Sequence, residues 1–181
     1  MIAQGNALGK HVPQPRKALK GRTNHVFGGR PVAQSLSNIL VHLIFSTKER
    51  QPLIGEGVAD ELYRYLATAC ATCGCPALRI GGTEDHVHIL LSLSRTMAVS
   101  DLVEEVKKGA SKWIKTKGPD YRLFTWQAGY GAFSIGQSQA EAVTRYIDGQ
   151  REHHKKRAFQ DEFRALLRRY QVEFDERYVW D

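Results

Sequence analysis

The chain has 181 residues, enough for one domain with a proper core, and its ordinary balance of apolar and charged residues excludes a fibrous or low-complexity protein. No apolar run approaches the roughly 18 residues of a membrane span, and no apolar h-region of a secretory signal follows the first basic residues. The net charge of +7 gives no support to nucleic-acid binding by bulk charge: residues 1–33 hold Lys10, Arg16, Lys17, Lys20, Arg22, Arg30 and no acid, leaving 20 basic against 19 acidic residues in the rest. Any such contact has to come from local patches.

Residues 1–33 are rich in Gly, Pro, Asn and Gln without hydrophobic periodicity, and read as a disordered basic leader. Three origins fit: a DNA-contacting arm, an organelle-type presequence, or a mis-assigned start. One domain, residues 34–181, follows. Ile39 to Phe45 is a continuous apolar run suited to a central strand covered on both faces. Ser46 to Gly57 is a loop, and Val58 to Thr72 has helical spacing at Leu62, Tyr65, Leu66 and Ala69. Cys70, Cys73 and Cys75 cannot build a disulfide framework and lack a nearby fourth zinc ligand, so they read as packed, reduced thiols, and the expected compartment is the cytoplasm.

Ala77 to Ile80 is a second strand, and Gly81 to Asp85 a hairpin loop into a third, Asp85-His86-Val87-His88-Ile89-Leu90-Leu91. Period-two alternation puts His86 and His88 on one face, a little under ~7 Å apart along the strand, with Val87, Ile89 and Leu91 turned into a core. Two imidazoles so placed can hold one divalent metal; the plainer reading is two half-exposed histidines. A second helix opens at Ser100 with Leu102, Val106, Ala110, Trp113 and Ile114 on its apolar side, and Gly118-Pro119-Asp120 ends it. Phe124 to Gln127 and Tyr130 to Ile135 form a fourth strand, kinked or bulged at its glycines. The β-α-β-β-α-β order is that of a ferredoxin-like or RRM-like α+β sheet with helices on one side.

Ser138 and Glu141 fit a capping box that opens a third helix running to about Arg157. On it Tyr146, Gln150 and His153 or His154 form one polar stripe. A shorter amphipathic helix, Gln160 to Tyr170, carries Phe163, Leu166 and Leu167, and the aromatic tail from Phe174 packs across the body. Two basic runs stand out: Lys107, Lys108, Lys112, Lys115, Lys117 and Arg122, and Arg145, Arg151, Lys155, Lys156 and Arg157. Both suit a phosphate backbone, with Trp126 or Tyr130 stacking on an unpaired base; both equally suit solvated helix faces.

Asp85 to Leu90, Trp126-Gln127-Ala128-Gly129-Tyr130-Gly131-Ala132-Phe133-Ser134 and Tyr146-Ile147-Asp148-Gly149-Gln150-Arg151-Glu152-His153-His154 resemble the motifs of the HUH single-tyrosine transposases, small bacterial insertion-sequence enzymes that act on single-stranded DNA, and their REP-associated relatives. The resemblance runs from about Ser35 to the C-terminus. It implies that Tyr146, on the helix added to the sheet, is the nucleophile and that His86, His88 and Gln150 are ligands for Mg²⁺ or Mn²⁺. It further implies cleavage and rejoining of single-stranded DNA through a 5′-phosphotyrosine, hairpin-forming element ends as partners, and a homodimer whose tyrosine helix completes a site in cis or in trans, with Gly136-Gln137 as its hinge. Tyr63, Tyr65, Tyr121, Tyr130, Tyr170 and Tyr178 compete for the nucleophile's role, but Tyr146 has a candidate ligand one turn away. Asp85 is either a turn residue or a carboxylate that orients a metal-bound imidazole. Two other readings remain: a non-catalytic nucleic-acid-binding module on an RRM-like sheet, which calls for aromatic residues on the central strands, and a metal-dependent hydrolase of small substrates, which leaves Tyr146 without a role.

Overall fold

The structure, a computed structural model, describes residues 36–154, 158–177 and 179–180. The leader expected over residues 1–33 lies outside the described residues, as do Lys155, Lys156 and Arg157 of the second basic run. Four strands, β1 (Leu40–Ser46), β2 (Ala77–Gly82), β3 (His86–Ser92) and β4 (Gly131–Ile135), form an antiparallel sheet in the order β2-β3-β1-β4. This is the expected α+β, ferredoxin-like arrangement. All seven residues of β1 are buried, which is why its sequence is a continuous apolar run: both faces of the sheet are covered.

On one face lie α1 (Glu56–Thr72) and α2 (Val99–Ile114). Val58, Leu62, Leu66 and Cys70 recur at helical spacing on α1, and Leu102, Val106, Ala110 and Ile114 on α2. They pack on Val41, Leu43, Phe45, Val87, Ile89 and Leu91, the odd-numbered side of the two central strands. Cys70 and Cys75 are part of this core, and burial pushes the Cys70 thiol up to about 12.

The other face corrects the expectation of helices on one side only. It carries Leu40, His42, Ile44 and Ser46 from β1 and His86, His88 and Leu90 from β3, and α3 (Ala140–Asp148), α4 (Gln150–His154) and α5 (Phe159–Arg169) cover it. The histidines expected on an exposed face are therefore fully buried. Phe159, Phe163 and Leu167 of α5 pack on Ile44 and Phe133, and Phe174, Val179 and Trp180 of the tail close over that cluster, as expected for the tail. Gly131 makes room for α5, because a Cβ there would stand 2.6 Å from the Phe163 ring. Gly81 does the same for α3: its Cβ would meet the Ile147 carbonyl oxygen at 2.9 Å. An ion pair between Arg79 and Asp148 holds the same contact from outside.

Three local expectations need correction. Phe124 to Gln127 is not strand; it makes one bridge, Thr47 to Trp126, and then turns its carbonyls toward Lys107 instead of into a ladder. The long third helix is two, broken at Gly149 between α3 and α4. Its cap lies earlier than Ser138 and Glu141: the Gln139 side chain accepts the Gly136 N–H at 3.3 Å, while Glu141 pairs with Arg145. None of the described helices is long and apolar enough to cross a membrane.

Candidate active site

His86 and His88 leave β3 on the covered face, and the two ring centroids are 5.1 Å apart. His86 Nδ1 lies 2.7 Å from Asp85 Oδ1 and 2.9 Å from Thr83 Oγ1, and the Thr83 hydroxyl itself donates to Asp85 Oδ1 at 2.9 Å. The hydroxyl's proton being so used, both oxygens accept from Nδ1–H, and a neutral His86 turns the lone pair of Nε2 inward. Burial pushes the Asp85 carboxyl up, but the hydrogen bonds from His86 and Thr83 outweigh it and hold the group below its ordinary value. Asp85 thus orients the imidazole.

His88 Nδ1 is 2.9 Å from His42 Nε2 on the neighbouring strand. His88 Nε2 is buried with no hydrogen-bond partner. Burial, reinforced by the other imidazoles, holds His88 well below its ordinary value, and burial lowers His42 to about 4. Both rings are neutral at pH 7, the form that binds metal.

Gln150 brings its Oε1 to 3.3 Å from His86 Nε2, while its Nε2 donates to Glu162 Oε1 at 2.9 Å. An amide oxygen and an imidazole lone pair facing each other have no proton to share, and the unpartnered His88 Nε2 lies on the same buried face. Two nitrogens and an oxygen in want of a positive partner are a donor set that fits a divalent cation. His86, His154 and Glu162 also offer ligating atoms within 4.8 Å of one another. Burial and the nearby Asp85 charge raise the Glu162 carboxyl to about 8, and His154 Nε2 is 2.6 Å from its Oε2.

Tyr146 sits beside this set. Its ring meets His88 and His42 edge-on, with centroids 5.7 and 6.0 Å apart, and its hydroxyl is buried without a partner. A cleft of about 160 Å³ lined by His42, Tyr146, Arg169 and Tyr170 flanks it. Of the rival tyrosines, Tyr170 shares that cleft but stacks on Phe133, Tyr65 stacks on Trp113, Tyr63 is half-buried against the other core, and Tyr178 lies outside the described residues.

Of the residues expected to touch DNA, Lys107, Trp126 and Tyr130 line one open cleft, with Lys107 Nζ 5.8 Å from the Tyr130 ring centroid. Lys112, Arg122 and Arg151 do not line it. Lys112 and Arg122 are exposed. Arg151 pairs with Glu56 at 3.6 Å. Trp126 is buried edge-on between Phe45 and Phe124, whereas Tyr130 keeps 40% of its surface. Lys107 donates to the carbonyls of Gln127, Ala128 and Gly129 at 2.8, 3.2 and 2.7 Å, and burial lowers it to about 8. Lys107→Met should therefore destabilise the fold by about 2 kcal/mol, the scale of hydrogen bonds to a charged donor, and leave the salt dependence of DNA binding unchanged. Urea titration and binding at several salt concentrations check this; a stable variant with a shallower salt slope would make Lys107 a phosphate contact instead.

Residues 35–150 match the family model described as IS200-like transposase. The chain belongs to that family. The ISDra2 transposase TnpA of Deinococcus radiodurans is 29% identical over 115 residues, which cover 60% of this IS200-like transposase and 81% of TnpA. Two solved structures share its fold. One, a transposase structure from Deinococcus radiodurans, superposes with a TM-score of 0.53 at 21% identity, covering 67% of this chain and 97% of the other. The second, a REP-associated tyrosine transposase bound to a REP hairpin, gives 0.51 at 12% identity, covering 68% and 72%. The family found is the one that the three motifs resemble.

His42, Glu162 and its close contact with His154 were not anticipated in this transposase. His42 is hidden in an apolar run, and Glu162 reads as an ordinary first-turn acid of α5. His42 gives a pH signature. Folded, it stays neutral down to about 4; unfolded, it takes up a proton below its ordinary 6.5. The unfolded chain then binds more protons, so stability is lost as pH falls from about 6.5 to 4, by on the order of 3 kcal/mol. Thermal melts of the metal-free protein should show this slope, reduced in His42→Phe; identical slopes would remove His42 as its source.

Proposed function

We propose that this transposase cleaves and rejoins single-stranded DNA with Tyr146 as nucleophile and His86, His88 and Gln150 as the residues that hold Mg²⁺ or Mn²⁺. The observation that carries the reading is the Tyr146 ring packed against His88, on the face where His86 Nε2, His88 Nε2 and Gln150 Oε1 lack a positive partner. A bound divalent ion supplies Lewis-acid charge beside the scissile phosphate. The Tyr146 oxygen attacks phosphorus; the new O–P bond forms as the bond to the 3′ oxygen breaks, the phenolic proton passes to solvent or a neighbouring base, and the departing 3′ oxygen takes up a proton from solvent. The products are a 5′-phosphotyrosine and a 3′-hydroxyl. The retained phosphodiester lets the same or another 3′-hydroxyl reverse the step, so rejoining needs no ATP.

The catalytic domain is residues 34–181, with the leader outside it. Its partners are hairpin-forming single-stranded element ends, held by phosphate contacts from Lys112, Arg122 and Arg151 and stacking on Tyr130. It works in the cytoplasm as a homodimer, with Gly136-Gln137 as the hinge of the tyrosine helix. A bare RRM-like module is a poorer reading, because the sheet face it would offer to bases is covered by α3, α4 and α5. The test is to incubate the protein with labelled single-stranded DNA from its own element end and Mn²⁺, then separate denatured products. A metal-dependent covalent adduct, mapped by peptide mass spectrometry to Tyr146, is expected; attachment to another residue, or binding with no adduct, overturns the mechanism.

A further inference from the structure

We infer that Glu162 is a positioning residue for the metal site, contributed by a helix that lies beyond the family match. The inference rests on the metal-site reading above. The matched region ends at residue 150, and Glu162 stands on α5, between Asp161 and Phe163. That helix buries Phe159, Phe163 and Leu167, and Glu162 is only 2% exposed among them. A carboxyl in such surroundings is costly unless its oxygens have partners. Oε1 has one, accepting from Gln150 Nε2 at 2.9 Å, and Oε2 stands in close contact with His154 Nε2 at 2.6 Å.

The consequence lies in the shape of an amide. The two ends of the Gln150 side chain are nearly equal in size, so packing alone does not decide which of Oε1 and Nε2 points at His86; hydrogen bonding decides. Glu162 Oε1 accepts from the NH₂ end of the amide, and that leaves Gln150 Oε1 facing His86 Nε2. Without that acceptor the amide can turn over and present N–H groups to the cation. His154, whose Nε2 lies 2.6 Å from the other oxygen, has its ring centroid 4.5 Å from that of His86, so α4 packs on the same imidazole. Glu162 therefore acts through Gln150 and not on the cation.

The experiment is Mn²⁺ titration of the purified full-length protein without DNA, by calorimetry and by the electron paramagnetic resonance signal of free Mn²⁺. Wild type, Glu162→Gln and Glu162→Leu are compared, with circular dichroism as the check on folding. A glutamine at this position still offers an amide oxygen to Gln150, so Glu162→Gln should bind Mn²⁺ within about 3-fold of wild type. Glu162→Leu should bind about 10- to 100-fold more weakly, as when a residue behind a metal ligand is lost. Equal affinity in all three proteins overturns the inference, and equal weakening in Gln and Leu makes Glu162 a ligand instead. If Glu162→Leu does not fold, the Gln variant alone still decides between orienting and ligating. A folded wild type that binds no Mn²⁺ refutes the metal site itself, and the inference with it.

Discussion

Tyr146→Phe should form no covalent adduct with DNA and yet be as stable as the parent, or more so. The chemical half is absolute: without the phenolic oxygen there is no atom to bond to phosphorus, and activity should fall below detection, by at least about 10⁴-fold for loss of a covalent nucleophile. The stability half comes from the hydroxyl's burial without a hydrogen-bond partner. Removing an unsatisfied buried donor sheds a desolvation penalty of about 1–3 kcal/mol and leaves nothing else unpaired. The ring stays, so its edge-on contacts with His42 and His88 persist. Adduct gels, Mn²⁺ titration and thermal melts together check this. Residual adduct would move the nucleophile to another tyrosine, and a large loss of stability would show that the hydroxyl has a structural partner.

The second large effect is expected at Gly82, which no chemistry touches. A Cβ built there would stand 2.1 Å from the His86 carbonyl oxygen and 3.0 Å from the Val87 Cα. These are backbone atoms of the paired strand and cannot swing aside. Gly82→Ala must open the β2–β3 hairpin, where Gly82 pairs with Val87 and the Thr83 N–H donates to the His86 carbonyl at 3.1 Å. The expected cost is about 3 kcal/mol or more, the upper range for overpacking. Metal affinity should fall with it, because Thr83 and Asp85 no longer grip His86 Nδ1. Gly57→Ala is the control: nothing lies within 4 Å of a Cβ there, and the position is inside α1. That substitution should be neutral or stabilising by about 0.5–1 kcal/mol. Urea unfolding of both variants, with Mn²⁺ titration, checks the contrast; comparable effects would dismiss close packing as the cause.

The sequence shows what depends on period and spacing. Alternation along β3 separates His86 and His88 from Val87, Ile89 and Leu91, whereas the i, i+4 relation of Tyr146 and Gln150 assumes one helix and the chain breaks at Gly149 between them. The continuous apolar run of β1 even declares that both its faces are covered. What stays hidden depends on which surfaces meet. Nothing in α5 says that its apolar side lands on Ile44 and Phe133, so Glu162 cannot be connected to Gln150. Lys107 lies on the polar side of α2, and only the structure shows its long side chain reaching back to three carbonyls. Trp126 is aromatic whether it stacks on a base or, as here, fills a core.

His86 and His88 are separated by a single residue, which makes the pair look like a cassette that could be written into any strand. The partners named above argue otherwise. Thr83 and Asp85 come from the turn before β3, His42 from the adjacent strand, Gln150 from α4 and Glu162 from α5. A His-x-His triplet moved to a foreign sheet would bring two freely rotating rings, without fixed tautomers and without an amide oxygen to complete the set. For protein engineers, the smallest transplantable unit is the whole run from β1 through α5. A scaffold designed around this chemistry has to reproduce those five contributions before it can use the two histidines.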